Sequence, residues 1–434
     1  MAQQNRRSVY LVALGIVAVG GLVGWWLEQA KTTVTRQAPV ISGSMATAAP
    51  GPHYSLMCYD CEIPLQVDAS TVSETSLPIC FNCGATNDIE GLSPQINSVK
   101  FHQGAQHDLQ RWAEVVFEYQ QEQYIKRIVG LPGEEISLEG GELYIGTELY
   151  QKTLDEFDQL KVRVFDSRFQ PADPAFNLLN RFGVRGDDSG WIFTTDKSFS
   201  FDAEEKTHPQ WLDYHQWNIV AGFVPPVKRG TSSAIFDYLP FNQFVSRSRL
   251  NFVDDFVVDL QLKVFEPGVV RVRMLDAEIE LDFHLFNLQV HQSRFLRGSS
   301  KIAPIQWNPQ GTSITLRLGR LDGRVVVKIG DQVDYFPLIE LQLNEDYESD
   351  LLVRKVPVSV SVDEGVLDLN EMTISRDIYW LAMDYSSAHW TPEHLLQRDE
   401  YFLMGDNQSI SRDCRHWGEG ITRDAILGLV LEQE

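Results

Sequence analysis

The sequence predicts a mainly β protein behind an N-terminal transmembrane helix, and three observations carry that reading. Residues 8–27 contain no charged side chain. In the second half of the chain apolar and polar residues alternate in short runs, the period of a half-buried strand. Those runs are separated by Pro, Gly and Asp, as in Glu266-Pro267-Gly268, Asp322-Gly323, Gly330-Asp331 and Asp363-Glu364-Gly365, while helical periodicity is scarce.

The apolar stretch comes first. Its 20 residues, at about 1.5 Å each, span roughly 30 Å, the hydrocarbon thickness of a bilayer. Arg6 and Arg7 precede it and Trp25-Trp26 close it, where indole rings favour the headgroup region. A cleaved signal peptide would need small residues at its end, and Trp25-Trp26-Leu27-Glu28-Gln29 is bulky, so an uncleaved anchor is expected. The two arginines, weighed against Lys31 and Arg36, place the N-terminus in the cytoplasm and the body outside it.

The chain of 434 residues is 43% hydrophobic, enough for two or three domains with cores of their own. A net charge of −23 leaves no basic surface for a polyanion and excludes nucleic acid as a partner. Residues 40–146 read as short strands: Trp112 to Tyr119, Tyr124 to Val129 turned by Leu131-Pro132-Gly133, and a hairpin from Glu135 to Tyr150 about Gly140-Gly141. Further on, Asn251 to Phe265, Val269 to Phe283, Ser313 to Leu318, Arg324 to Ile329 and Val356 to Val362 alternate, which indicates an antiparallel sandwich. The segment Leu321 to Gln332 resembles a hairpin of laminin-G or concanavalin-like jelly rolls, a likeness of fold that says nothing about sugar.

Three blocks carry chemistry. Ser42-Gly43-Ser44-Met45 follows the anchor. Tyr124-Ile125-Lys126-Arg127-Ile128-Val129-Gly130-Leu131-Pro132-Gly133 sets a lysine in an apolar strand. Met404-Gly405-Asp406-Asn407 through Ser411-Arg412-Asp413-Cys414-Arg415 to Trp417-Gly418 closes the chain. A serine hydroxyl needs a base to become a nucleophile. Lysine, with a pKa of about 10.4 when free, serves only when neutral, and burial can bring it down by about 3–5 pH units. Strand alternation puts Lys126 on one face with Tyr124 and Ile128, an apolar neighbourhood, and turns Arg127 to the other with Ile125 and Val129.

In this order behind an anchor, the three blocks resemble type I signal peptidase (leader peptidase), a serine endopeptidase with a Ser/Lys dyad. The resemblance covers roughly residues 8–57, 100–150 and 398–434. It implies Ser44 as nucleophile and Lys126 as general base, then general acid. It implies Ser42 as an oxyanion donor beside the Ser44 N–H, Ser411 as the serine that orients the lysine, Asp413 with Arg415 as a structural ion pair, and Asp406 as a carboxylate supporting the strand through Arg127. Met45, Tyr124 and Ile125 would line the first substrate pocket. Cleavage would follow small residues at the first and third positions before the bond, with no cofactor for catalysis. The partners implied are signal peptides of exported preproteins and the lipid bilayer, with the secretion translocon as a further candidate, at a cell membrane crossed once. Departures from the family's pattern concern the cleft: Ile41 before the serine block, Ala46-Thr47-Ala48-Ala49-Pro50 after it, Ala113-Glu114, Gln408-Ser409-Ile410, and Cys414 in place of a serine.

Cys58-Tyr59-Asp60-Cys61 and Cys80-Phe81-Asn82-Cys83-Gly84 are two CxxC pairs separated by 18 residues, the spacing of a four-thiolate zinc site. The segment resembles a zinc ribbon; two disulfides are the alternative in an oxidising compartment. Cys414 is a lone packed thiol, and His53, His102, His107 and His416 read as structural or surface groups. The resulting layout is a cytoplasmic N-terminus 1–7, an anchor 8–27, a linker 28–39, a split signal-peptidase-like catalytic domain in pieces 40–57, 89–152 and 396–434, an inserted zinc ribbon 58–88, and an inserted β-sandwich 153–395. The alternative function is a catalytically weak envelope binding or scaffold protein that uses the ribbon and the sandwich.

Overall fold

The computed structural model describes residues 34–73, 77–104, 109–184, 190–194, 198–202, 210–219, 228–243, 249–339, 352–393 and 395–433. The expected anchor at 8–27 lies outside these residues, and among the described residues no helix is long and apolar enough to cross a membrane.

Among the described residues, three distant pieces of chain meet in one antiparallel sheet. Its order is Val34–Pro39, Ser98–Gln103, Ile426–Gln433, Glu114–Tyr119, Glu122–Gly130, Glu400–Met404 and Ile421–Thr422. The central strand Glu122–Gly130 pairs Val115 with Lys126 on one side and Met404 with Arg127 on the other. A core of Phe117, Ile128, Phe402, Leu403, Met404 and Trp380 packs on this sheet, with Tyr124 and Trp417 against it. The predicted hairpin is present, with Glu139 opposite Glu142 and both Gly140 and Gly141 at positive φ, a backbone that side-chain-bearing residues rarely adopt.

The inserted sandwich has two sheets. One runs Trp191–Phe193, Phe199–Asp202, Val366–Arg376, Phe256–Glu266, Thr312–Leu321, Arg324–Ile329, Gln332–Pro337, with Val162–Asp166 also paired to Val366–Arg376. The other runs Phe182–Val184, Gln210–Tyr214, Val358–Val362, Val269–Met274, Ala277–Asp282, Asn287–Gln292, Phe295–Lys301. Every second residue of Val269–Met274, Ala277–Asp282 and Asn287–Gln292 is buried, and the buried sets of both sheets form one core from Phe256 and Val258 to Val360 and Ile374. The stretch Val269 to Phe283, read as a single alternating run, is a hairpin that turns at Leu275-Asp276. Leu275 takes a positive φ there without any Gly or Pro to announce it.

The helix Leu154–Leu160 joins the two units. Thr153 and Glu156 form its capping box. Leu160 enters the core of the first sheet, while Leu154 and Phe157 pack on Val257, Leu321 and Val326 of the sandwich. After Arg376 the chain returns to the first unit, where Ile378 and Trp380 join its core.

Candidate active site

The strand Val34–Pro39 delivers the loop that carries Ser44. Val40 N–H donates to Asn97 O at 2.9 Å, and beyond the serine the loop closes on itself through Ala46 N–H to Gly43 O (3.1 Å) and Ala49 N–H to Met45 O (2.6 Å). Met45 anchors the loop from below, buried among Ala38, Val40, Ala49, Val99, Phe101 and Val116. From the C-terminal block, Asn407 N–H donates to Ser44 O at 3.1 Å and Asn407 Nδ2 to Gly43 O at 2.9 Å. Gly405 is needed at the crossing: a side chain there would run into Ser411 Oγ and Ser44 O.

Lys126 rises from the middle of its strand to meet this loop. Its Nζ lies 2.5 Å from Ser44 Oγ, and the residue is only 2% exposed. Burial pushes the Lys126 pKa down to about 8, against the pull of Asp413 and Asp406. Each of those carboxylates is already held by an arginine. Arg415 grips Asp413 through Nε (2.8 Å) and Nη2 (2.7 Å), a bidentate geometry that matches guanidinium to carboxylate. Although Asp413 is fully buried, the charge and hydrogen bonds of Arg415 hold its carboxyl well below the usual range. Arg127 grips Asp406 in the same way, Nε at 2.7 Å and Nη2 at 2.6 Å. It also donates to Glu114 (2.9 Å) and to Trp112 O (2.5 Å).

The remaining predicted residues lie as follows. Ser42 is exposed beside Ser44, its Oγ donating to Ser44 Oγ at 3.2 Å. Ser411 is buried, and its hydroxyl donates to Asp413 Oδ2 at 2.8 Å, so it faces the ion pair, whereas the lysine's contact is with Ser44. Tyr124 is half-buried, its ring 5.7 Å from Phe117 and 5.3 Å from Trp417. Ile125 is half-buried against the core that holds Met45. Met45 is thus part of that core rather than an open pocket wall, because its backbone forms the bridge that closes the loop over it. Cys414 is fully buried with Leu403 N–H directed at its sulfur (3.3 Å).

Several residues of the site escaped the sequence reading. Glu114 and Gln408 were noted only as departures; Glu114 is the second carboxylate on Arg127, and Gln408 Oε1 accepts from Arg415 Nη1 at 2.8 Å. Asn407 stood inside a motif with no role attached. Asn242, which pairs with it, lies in a stretch with no motif or period to betray it.

The four cysteines of the CxxC pairs are buried, and their sulfurs all lie within 4.8 Å of one another. Cys58 and Cys83 are 3.6 Å apart and Cys61 and Cys80 3.7 Å. A tetrahedron of sulfurs about 2.3 Å from one ion has edges of about 3.8 Å, whereas disulfide sulfurs sit at about 2.05 Å. The cluster is therefore shaped to hold a metal ion. Burial pushes the Cys80 thiol up, so thiolates there require a cation. Paired backbone bonds shape both knuckles: Glu62 N–H to Cys58 O (2.9 Å) and Gly84 N–H to Cys80 O (2.8 Å).

Among solved structures, the chain is similar to a protein of unknown function with a galectin-like fold from Bacillus subtilis (6% identity, 50% of this chain and 97% of that one, TM-score 0.32). It is also similar to the carbohydrate-binding module CBM66 from Bacillus subtilis (7%, 46% and 93%, TM-score 0.24) and to toad ovary galectin (10%, 27% and 88%, TM-score 0.20). At such scores these likenesses carry no argument about this chain. No curated protein matches it. The family described as signal peptidase, peptidase S26, matches residues 87–184 and 356–432, which include Lys126, Arg127, Asp406, Ser411, Asp413 and Arg415 and begin beyond Ser44; this match supports a signal peptidase-like function and peptidase chemistry.

Proposed function

We propose that the chain is a membrane-anchored type I signal peptidase that cleaves signal peptides from exported proteins after small residues. One observation carries the reading: a lysine amine shielded from water, with its pKa lowered to about 8, lies 2.5 Å from a serine hydroxyl on a braced loop. Neutral Lys126 takes the Ser44 proton as Oγ attacks the scissile carbonyl. The Ser44 N–H and, after rotation about its χ1, the Ser42 hydroxyl receive the developing oxyanion. One such donor is worth about 2.7–4 kcal/mol in other hydrolases. The Lys126 ammonium then protonates the leaving amine, the acyl group stays on Ser44, and a water activated by the same amine releases it. No metal takes part in these steps.

Tyr124 and Ile125, on the strand carrying the base, would flank the residue before the scissile bond. The anchor would hold enzyme and substrate at one bilayer and raise their effective concentration, with the body outside the cytoplasm and the translocon nearby. The four cysteines would hold a structural zinc. A scaffold has no use for a buried amine aimed at a hydroxyl, which counts against the binding-protein alternative.

The test is cleavage of a preprotein with small residues at the first and third positions before the bond. Wild type should process it, and Ser44→Ala or Lys126→Ala should lose at least about 10³-fold in rate with unfolding midpoints retained. Processing at the normal rate by either variant would end this reading. Elemental analysis should return one zinc per chain, and chelation should lower the unfolding midpoint while leaving the dyad chemistry intact in whatever stays folded; zinc well below one equivalent in protein carrying disulfides rejects the metal.

A further inference from the structure

The insert does more than sit beside the catalytic unit. Leu239-Pro240-Phe241-Asn242-Gln243 leaves the sandwich as a loop and reaches the Ser44 loop, the cysteine ribbon and the C-terminal block. Phe241, 1% exposed, packs with Ala46 of the nucleophile loop and with Val162 and Leu239. Its ring lies so close to Gly43 that a Cβ there would fall 2.6 Å from Cε1. On the ribbon side, Phe241 O accepts from Asp68 N–H (3.0 Å) and the buried Gln243 Oε1 from Ile79 N–H (3.1 Å).

Asn242 makes the decisive contact. It is 4% exposed, and its amide forms a closed pair with Asn407: Asn242 Nδ2 donates to Asn407 Oδ1 at 2.7 Å, and Asn407 Nδ2 donates back to Asn242 Oδ1 at 2.8 Å. The second proton of Asn242 Nδ2 goes to Ser409 Oγ at 2.9 Å, and the second proton of Asn407 Nδ2 goes to Gly43 O. Gly43 O can only accept, so Asn407 Nδ2 must face it; Asn242 meets Asn407 with a matching donor and acceptor, and Ser409, a hydroxyl, can serve either role. Asn242 therefore braces the Asn407 amide in the one orientation Gly43 O accepts, and Asn407 in turn holds the carbonyls of Gly43 and Ser44 on either side of the Ser44 N–H.

We propose that Asn242, supplied by the inserted sandwich, is a positioning residue for the Ser44 site, acting through Asn407 on the peptide groups of Gly43 and Ser44. This rests on the serine–lysine reading given above. Asn242 touches neither the lysine nor a substrate; it sets the direction of the Ser44 N–H and hydroxyl. Without it the Asn407 amide loses its buried partner and can shift away from Gly43 O. An aspartate at 242 would be worse than alanine, because a carboxylate accepts but cannot donate to Asn407 Oδ1 or Ser409.

The experiment uses the full chain and the preprotein assay. Asn242→Ala is expected to lower kcat by about 10–100-fold, the size of effect that small misplacements of reacting groups produce. KM should stay within about twofold, because substrate-lining groups are untouched. Asn242→Asp should fall further. The acidic limb of the pH–rate profile should remain near that of wild type, because the lysine's surroundings are unchanged. Asn242→Ala in an Asn407→Ala background should add little. An unchanged kcat, or equal losses in the single variant and in that background, overturns the proposal. Hydrogen exchange at the Asn407 and Ala46 amides reads the same loop without any activity: faster exchange in Asn242→Ala supports the positioning, and unchanged exchange overturns it. Cleavage by Ser44→Ala would remove the dyad reading alone, leaving the exchange result to judge Asn242.

Discussion

Among the described residues two lysines are buried, and their surroundings drive them in opposite directions. Lys126, beside Ser44, is pushed down to about 8. Lys152, at the junction of the first unit and the sandwich, is raised above its ordinary value. Burial acts on both alike, against the ammonium. At Lys152 it is outweighed by Asp322, which binds the ammonium and the Lys152 N–H, and by Asp377 at 3.0 Å, with Glu142 adding to the pull. At Lys126 the nearby carboxylates Asp413 and Asp406 are clasped by Arg415 and Arg127, and the amine meets a neutral hydroxyl instead. Withdrawal from water does not by itself make a base; what decides is whether a carboxylate is left for the lysine to claim.

The comparison is broken most directly at Lys152. Lys152→Met leaves Asp322, Asp377, Asp255 and Glu142 together without their cation. Uncompensated buried charge of this kind costs about 3–5 kcal/mol. Because the folded pKa of Lys152 lies above its unfolded value, the stabilisation it gives is complete below about pH 10 and is lost only as pH rises through the folded value. The penalty in the variant should shrink in acid, as the carboxylates take up protons; burial raises Asp322 to about 6 even with the lysine present. Denaturant midpoints at pH 5 and pH 8 measure this. Equal stability of wild type and variant at pH 8 would mean that the cluster does not hold its lysine charged.

Lys126→Met should act in the other direction. The folded pKa near 8 lies below the ordinary 10.5. The lysine therefore costs stability at neutral pH, and that cost disappears as pH rises past the unfolded value. Replacement by an apolar side chain of similar length should raise stability at pH 7 by about 1–3 kcal/mol, after the lost contact with Ser44 is allowed for. The gain should vanish near pH 10.5 while cleavage is absent throughout. A variant less stable than wild type at pH 7 would show that Lys126 is held as a paired cation, like Lys152.

This contrast also marks how far the sequence could be read. Alternation put Lys126 on a face with Tyr124 and Ile128, and both belong to the aromatic core that packs on the sheet. The sandwich was visible because its strands bury every second residue, and the Glu139–Glu142 turn because Gly140-Gly141 occupies it. The turn at Leu275-Asp276 was not visible, since a leucine in the left-handed region carries no compositional signal. Nor was it legible that Arg415 and Arg127 would hold the carboxylates nearest the buried lysine, because that depends on which charges meet across strands far apart in sequence. Asn242 is the extreme case: 165 residues separate it from Asn407, and only the packed molecule brings the two amides together.

The finest test of the comparison makes Lys126 slightly more like Lys152. Arg127→Gln removes the guanidinium from Asp406 and leaves that carboxylate to act on the lysine. Asp406 reaches Lys126 through space rather than by contact, so the rise should be about 0.5–1 pH unit, short of the 1–3 that a directly paired charge produces. The base must be neutral to work, so kcat/KM in wild type should climb about tenfold per pH unit up to the limb near 8 and then level off. In Arg127→Gln the limb moves upward. Cleavage at pH 7 then falls by about 3–10-fold, and the two proteins converge at pH 9.5, above both limbs. A loss of equal size at every pH would show that Arg127 serves only to brace its strand, and would separate the lysine's pKa from the arginine that stands between it and Asp406.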